Sequence, residues 1–309
     1  MNPSERRRDH ISVCVCTYRR NEMLERLLRN LARQRTEGLF EYSVVVVDND
    51  ATGHAQDKVA RLQAELQLDI AYDIEPERTI PAARNHALRL ARGNLIGIID
   101  DDEFPPPEWL LRMYEAVRTF DVDGALGPVV PFYPDGTPRW LVKSGICELP
   151  SHDTGALLHW SQTKTGNVLL KKDVFDAHGL SFDSTFRTGG SDQDFFRRAA
   201  GKGYRFVAVR EAPVYEAVPP ARWTRSYWVR RALVNGYNAE RYAAATQGIL
   251  RRTWLCVRSA FAGVIWFAAL PACACAGPHR LVLCMERASY HLSRTLATFG
   301  VQLWDKRDF

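Results

Sequence analysis

The sequence predicts an α/β fold built on a doubly wound, mostly parallel sheet, followed by a helical, partly apolar tail. Three observations carry this. Apolar runs rich in β-branched residues alternate with helical segments of ten to fifteen residues from about residue 11 to residue 120, the pattern of repeated βαβ units. One run, Leu95-Ile96-Gly97-Ile98-Ile99, is apolar throughout, as a strand covered on both faces must be, and it stops in Asp100-Asp101-Asp102-Glu103. Of the 309 residues, 46% are hydrophobic, which supports a large core and excludes disorder as the default.

Taken in order, residues 11–16 read as a strand, and residues 22–33 as a helix with Leu24, Leu27, Leu28 and Leu31 on one face. Residues 42–47 form a second strand that ends in Asp48-Asn49-Asp50. A helix at 55–66, a short strand at 69–74 and a helix carrying Ala82, Ala83, Ala87, Leu88 and Ala91 then lead to the acidic strand. From Gly124 the periodicity weakens, and Gly127-Pro128, Pro131, Pro134-Asp135-Gly136 and Pro138 mark irregular chain to about residue 161, where acceptor-binding loops would fit. Residues 165–170 read as a return strand. The run Phe186-Arg187-Thr188-Gly189-Gly190-Ser191-Asp192-Gln193-Asp194 reads as a glycine-rich turn opening a helix. Further on, Arg222, Arg225, Arg230 and Arg231 interleave with Trp223, Tyr227 and Trp228 on another helix.

Charge and cysteine content exclude several classes. The net charge of +5 lies wholly in residues 250–309, where eight Lys and Arg face three acids, so the first 249 residues are neutral overall. No nucleic-acid partner is expected from that distribution. The seven cysteines lack paired zinc spacing and read as reduced, mostly buried thiols of a cytosolic compartment. Arg6-Arg7-Arg8 is followed by polar residues and a strand, without the apolar core of a signal peptide.

The chemistry gathers at strand ends, the edge of an open α/β sheet where ligands bind. Asp100 and Asp102 point to one side of extended backbone, Asp101 and Glu103 to the other. Clustered carboxylates repel unless a cation lies between them, and Mg2+ or Mn2+ suits oxygen ligands. A solvated acidic loop, or the cap of a helix begun by Pro105-Pro106-Pro107-Glu108-Trp109, is the alternative. There is no G-x-G-x-x-G after the first strand and no G-x-x-x-x-G-K-[ST], which argues against a dinucleotide site or a P-loop. Tyr18 could stack on a base and Asp48 accept from a base or ribose edge, or both could cap turns. Asp192 could take a proton from a bound hydroxyl, or Asp192 and Asp194 could serve only the helix dipole.

The motifs Val15-Cys16-Thr17-Tyr18-Arg19, Val45-Val46-Val47-Asp48-Asn49-Asp50, Pro81-Ala82-Ala83-Arg84-Asn85-His86-Ala87, Ile98-Ile99-Asp100-Asp101-Asp102-Glu103 with Pro107-Glu108-Trp109-Leu110, Thr165-Gly166-Asn167 and Gly189-Gly190-Ser191-Asp192-Gln193-Asp194 together resemble the family 2 glycosyltransferases with the GT-A fold. Val214-Tyr215-Glu216 through Trp223 looks most like the succinoglycan-type exopolysaccharide branch. The resemblance covers about residues 11–240. It implies a Rossmann-like nucleotide-sugar half at about 11–120, an acceptor half at about 121–249, and inverting transfer from a nucleoside-diphosphate sugar, a UDP-sugar by resemblance, to a saccharide or lipid-linked saccharide. Thr17, Tyr18, Arg19, Asp48, Arg84, Asp100 and Asp101 would then hold the nucleotide, Asp102 the divalent cation, and Asp192 would be the base. Asn167, Gly190, Gln193, Glu216 and Trp223 are acceptor-side candidates. Two departures stand out: Ser191 replaces the Glu that many members carry before the base, and Glu216 stands near where many have His. A sugar-phosphate nucleotidyltransferase is the nearest rival, but 14–20 has no glycine; a non-catalytic nucleotide-sugar-binding scaffold is the other.

Residues 250–309 are expected to form a separate basic, apolar tail. The stretch 259–277 is nineteen uncharged residues with Pro271 inside, a marginal span, and 281–304 alternates basic and apolar residues like an interfacial helix. The expectation is attachment to the cytoplasmic face of a membrane; packing on the catalytic domain or between subunits of an oligomer is the alternative.

Overall fold

A computed structural model describes residues 8–186 and 189–303. Their packing divides the chain into two compact units, residues 1–131 with 149–217 and residues 132–148 with 218–309. The expected boundary at 249/250 falls within the second unit.

The first unit contains β1 (Asp9–Thr17), α1 (Asn21–Leu31), β2 (Phe40–Asp48), α2 (Gln56–Leu66), β3 (Ile70–Ile74), α3 (Ile80–Leu90), β4 (Leu95–Ile99), β5 (Glu103–Phe104), α4 (Trp109–Thr119), β6 (Gly124–Leu126) and most of β7 (Val129–Phe132). The helix α5 (Arg139–Ser144) belongs to the second unit. After it, β8 (Asn167–Lys171), α6 (Asp173–Asp176), α7 (Ser191–Gly201), β9 (Phe206–Ala208) and β10 (Val214–Ala217) complete the first. The main sheet has the order β3-β2-β1-β4-β8-β6-β9, and a small second sheet has the order β5-β10-β7. Strands β3, β2, β1 and β4 are parallel, and only β8 runs against its neighbours β4 and β6.

Alternation along the strands makes the winding double. Val13, Val15, Val44 and Val46 enter one core with Leu24, Leu27, Leu28 and Trp109, while Cys14, Val45, Val47, Ile96 and Ile98 enter the other with Ala83, Ala87, Phe195 and Phe196. Each buried leucine of α1 is worth about 1.5–3 kcal/mol, so a charge at Leu28 would detach that helix. Helix α3 starts at Thr79, whose hydroxyl accepts from the Ala82 amide at 3.3 Å, with Pro81 in the first turn. Helix α7 starts after Gly189 and Gly190, both left-handed at φ +123° and +94°, a conformation that glycine adopts without a Cβ penalty.

The second unit packs Leu141 of α5 with Val218, Trp228 and Val282, and continues through α8 (Arg225–Thr246), α9 (Ile249–Cys275) and α10 (Pro278–Thr298). The expected interfacial stretch 281–304 is largely α10, whose Val282, Cys284, Ala288 and Ser293 are buried within this unit; Trp304 lies outside the described residues. All seven cysteines are free thiols.

Candidate active site

The ends of β1 and β4 and the start of α3 enclose a cleft of about 390 Å³, lined by Thr17, Tyr18, Arg20, Asn49, Arg78, Thr79, Arg84 and Asp100 to Asp102. That is room for a nucleotide-sized ligand. Because β1 and β4 are parallel neighbours, both deliver their C-terminal residues to this one edge.

The acids form its floor. Asp101 is buried and accepts from the Thr17 hydroxyl at 2.8 Å and from Arg20 at 3.0 Å. The same Arg20 nitrogen reaches Asp102 at 3.1 Å, and Arg26 donates to the Asp102 carbonyl at 3.1 Å. Arg84 donates to Asp100 at 3.3 Å. Glu103 is buried, accepts from the Asp100 amide at 3.1 Å and pairs in register with Glu216 across β5 and β10. Burial first, and then the Asp100 charge, push the Asp102 carboxyl up to about 6 and the Glu103 carboxyl well above its ordinary value. A Cβ at Gly166 would stand 2.6 Å from a Glu103 carboxylate oxygen and 3.4 Å from Asp100, so glycine there leaves the acids their space. Cys16 also lines the cleft, but burial pushes its thiol up to about 12 and removes it as a nucleophile.

At the other wall, the Arg78 guanidinium lies 4.6 Å from the Tyr18 ring centre, and that of Arg19 lies 5.4 Å away. Arg19 also pairs with Asp50. Arg20 closes the run 17–20 that the sequence directs from the first strand toward the acid cluster, and the structure adds its pairing with Asp101 and Asp102. Arg78 escapes a sequence reading because it stands in a loop, just before the cap of α3.

Several candidates sit elsewhere. Asp48 is fully buried beneath the cleft, accepting from the amides of Asp50 and Ala55 at 3.0 and 2.7 Å and from Tyr72 at 3.1 Å; Asn49 lines the cleft in its stead. Asn167 is buried too. It accepts from Trp109 Nε1 at 2.7 Å and donates to the carbonyls of Pro128 and Ala212 at 3.1 and 2.8 Å, tying β8 to α4 and two loops. Trp223 belongs to the second unit, where its indole donates to the Val218 carbonyl at 3.0 Å. Glu216 faces Glu103 on the small sheet.

Asp192 lies in the first turn of α7, partly exposed, accepting from the Gln193 amide at 3.0 Å. Gln193 itself is exposed and Gly190 is the residue before the helix. Asp192 has no ion-pair partner among the described residues, whereas buried Asp194 is held by Arg197 at 2.8 Å and Arg198 at 2.7 Å. Helix α7 is linked to the cleft wall through aromatic packing: Phe195 stacks on Phe182 at 4.7 Å, and Arg84 lies over Phe182 at 5.5 Å. Asn85 of α3 also exchanges two hydrogen bonds with the Phe182 backbone, at 2.7 and 2.9 Å. Among the described residues, no three His, Cys, Asp or Glu side chains stand together as a metal-holding group.

A parallel sheet switching to antiparallel at β8, with an acid run and arginine-lined cleft at the strand ends, matches the arrangement that the GT-A resemblance implies. Solved structures bear out the fold. The mannosyltransferase PcManGT of Pyrobaculum calidifontis, in complex with GDP-Man and Mn2+, superposes with a TM-score of 0.60 at 22% identity, covering 97% of this chain and 88% of that one. TarS 1-349 of S. aureus in complex with UDP-GlcNAc gives 0.55 at 15% identity, covering 94% and 92%. The family model described as Glycosyl transferase family 2 matches residues 12–182, and the chain belongs to that family. Among curated relatives, the succinoglycan biosynthesis protein ExoM of Rhizobium meliloti (strain 1021) is 34% identical over 249 residues, 79% of either chain.

Proposed function

We propose that this glycosyltransferase moves a sugar from a nucleoside-diphosphate sugar, with inversion, to a hydroxyl of a growing exopolysaccharide or lipid-linked oligosaccharide at the cytoplasmic face of a membrane. The observation that carries the reading is the cleft where Asp100, Asp101 and Asp102 meet Arg20, Arg78, Arg84 and Tyr18. Tyr18, with Arg78 over its ring, offers a stacking platform for the base, and Arg84 and Arg20 offer guanidinium forks to a diphosphate.

The acid floor fits a divalent cation. Asp100 and Asp102 are oxygen donors of the kind Mg2+ and Mn2+ take; burial, and after it the Asp100 charge, raises the Asp102 carboxyl to about 6, a penalty that a cation would relieve. Asp102, with Asp100, would hold it, and the ion would neutralise charge building on the departing diphosphate. Asp192 accepts the proton of the acceptor hydroxyl as its oxygen attacks the anomeric carbon; Asp194 is already committed to two arginines and leaves Asp192 the available carboxylate. On the same reading residues 11–120 bind the donor and residues 121–249 shape the acceptor side, a division of roles that does not follow the two compact units.

Thermal-shift screening of UDP-, GDP- and other nucleotide sugars, with and without Mn2+, tests the donor. Replacing Asp192 by Asn tests the base: donor binding should survive while turnover falls by about 10²–10⁴. Unchanged turnover would remove Asp192 from the mechanism.

A further inference from the structure

The second unit carries an apolar surface that the transfer chemistry does not use. Helix α9 is held along one side only. Leu255, Ser259 and Gly263, each four residues apart, are buried; the His291 Nδ1 and Ser259 Oγ lie 3.3 Å apart, and Cys284 Sγ meets the Trp266 carbonyl at 3.1 Å. Contacts that advance along α9 retreat along α10, so the two helices form an antiparallel hairpin through the Ala276-Gly277 turn. The other side of α9 repeats at intervals of three and four. It presents Leu250, Trp254, Val257, Phe261, Val264 and Ile265, exposed by 84, 58, 64, 69, 69 and 50%. A continuous stripe of six large apolar side chains marks an interaction surface, not ordinary solvent-facing chain.

The surrounding charge selects the partner. Between residues 249 and 303 there are six arginines, at 251, 252, 258, 280, 287 and 294, against one acid, Glu286. Arg251 and Arg258 lie on the flank of the stripe, and both are exposed. An apolar stripe with basic flanks complements an anionic lipid surface.

Length and composition alone would let α9 cross a bilayer, with 27 residues and a mean hydropathy of 1.6 in its most apolar window. The hairpin argues against that orientation. A crossing α9 would either shed α10 or drag Arg280, Glu286, Arg287, His291 and Arg294 into hydrocarbon, where ionisable groups are costly. Lying flat keeps the hairpin whole and leaves exposed Arg251 and Arg258 of α9 at headgroup level.

We propose that α9 is an in-plane anchor whose stripe enters an anionic bilayer surface to a depth of about 5–10 Å while α10 stays on its aqueous side. This deepens the membrane attachment proposed above, and the test reads lipid binding apart from donor binding. The full chain is floated with vesicles of phosphatidylcholine alone or mixed with phosphatidylglycerol. Binding should be at least about tenfold stronger on the mixed vesicles and should be released by alkaline carbonate. Phe261→Glu with Val264→Glu should weaken it at least tenfold, with far-UV circular dichroism and the nucleotide-induced thermal shift unchanged, since both side chains face solvent. Three results would each overturn the proposal: equal binding by the double variant, resistance to carbonate extraction, or a lipid-free dimer that the same substitutions dissociate.

Discussion

The chain contains two short acidic runs that look alike in sequence and are built in opposite ways. Asp100 to Glu103 leave a buried strand, and their charges are answered by residues far away in sequence, Arg20 and Arg84. Asp192 and Asp194 open an exposed-sided helix, and the neutralisation is local: Arg197 and Arg198, three and four residues on, take Asp194, while among the described residues Asp192 accepts from a backbone amide and has no ion-pair partner. The difference teaches that a carboxylate's role is set by what answers its charge. The floor is a crowded, largely buried set of carboxylates, and the helix start is a sorted pair in which Asp194 takes both arginines.

The strongest way to break that contrast is Asp102→Ala. Donor binding strengthened by Mn2+ should lose that dependence, with affinity down by about 10²-fold in titration calorimetry. Persisting metal dependence would show that the ion is held elsewhere. Next comes Asp194→Ala, which strands two arginines. The acid is buried but Arg197 is 44% exposed and can rehydrate, so the cost should be about 1–3 kcal/mol in urea unfolding, below that of a fully buried pair. Asp192→Asn should leave the unfolding curve where it was. If the two substitutions exchanged these effects, the assignment of roles within the run would be reversed. Smaller again is Arg78→Ala, which removes the cation over Tyr18 and should weaken nucleotide binding about threefold to thirtyfold.

The donor half was legible because its elements carry strong periods: β1, β2, β4, α1 and α2 fall within about two residues of where alternation and leucine spacing put them. The strands β5, β6, β9 and β10 have two to four residues each, too few for any period to emerge. Tertiary pairing alone makes them strands. Within the site, clustered acids were readable as a class and Arg84 by its motif, but the pairing of Arg20 with Asp101 and Asp102, and the place of Arg78, follow only when β1, β4 and α3 are assembled. Asp48 and Asn167 show the converse. Both sit at motif positions, yet the fold turns them inward, where each saturates hydrogen bonds that the backbone would otherwise leave unmade. Sequence order shows that a polar residue is placed at a strand end; which side of the chain it serves depends on loop geometry.

A carboxylate outside both runs supplies the smallest test. Glu25 on α1 is answered by Lys58 first and Arg29 second, and these partners hold its carboxyl down at about 2. Its folded value lies below its unfolded one, so its contribution to stability is present above about pH 4.5 and fades as pH falls towards 2. Solvent screening limits the contribution to about 0.5 kcal/mol. Glu25→Gln should therefore be slightly less stable than the parent at pH 7, and the two urea-unfolding curves should converge on acidification. The crowded floor makes the opposite demand. Its raised carboxyls oppose folding at neutral pH when no cation is present, so a divalent ion should shift the neutral-pH curve of the parent and of Glu25→Gln equally, and that of Asp102→Ala far less.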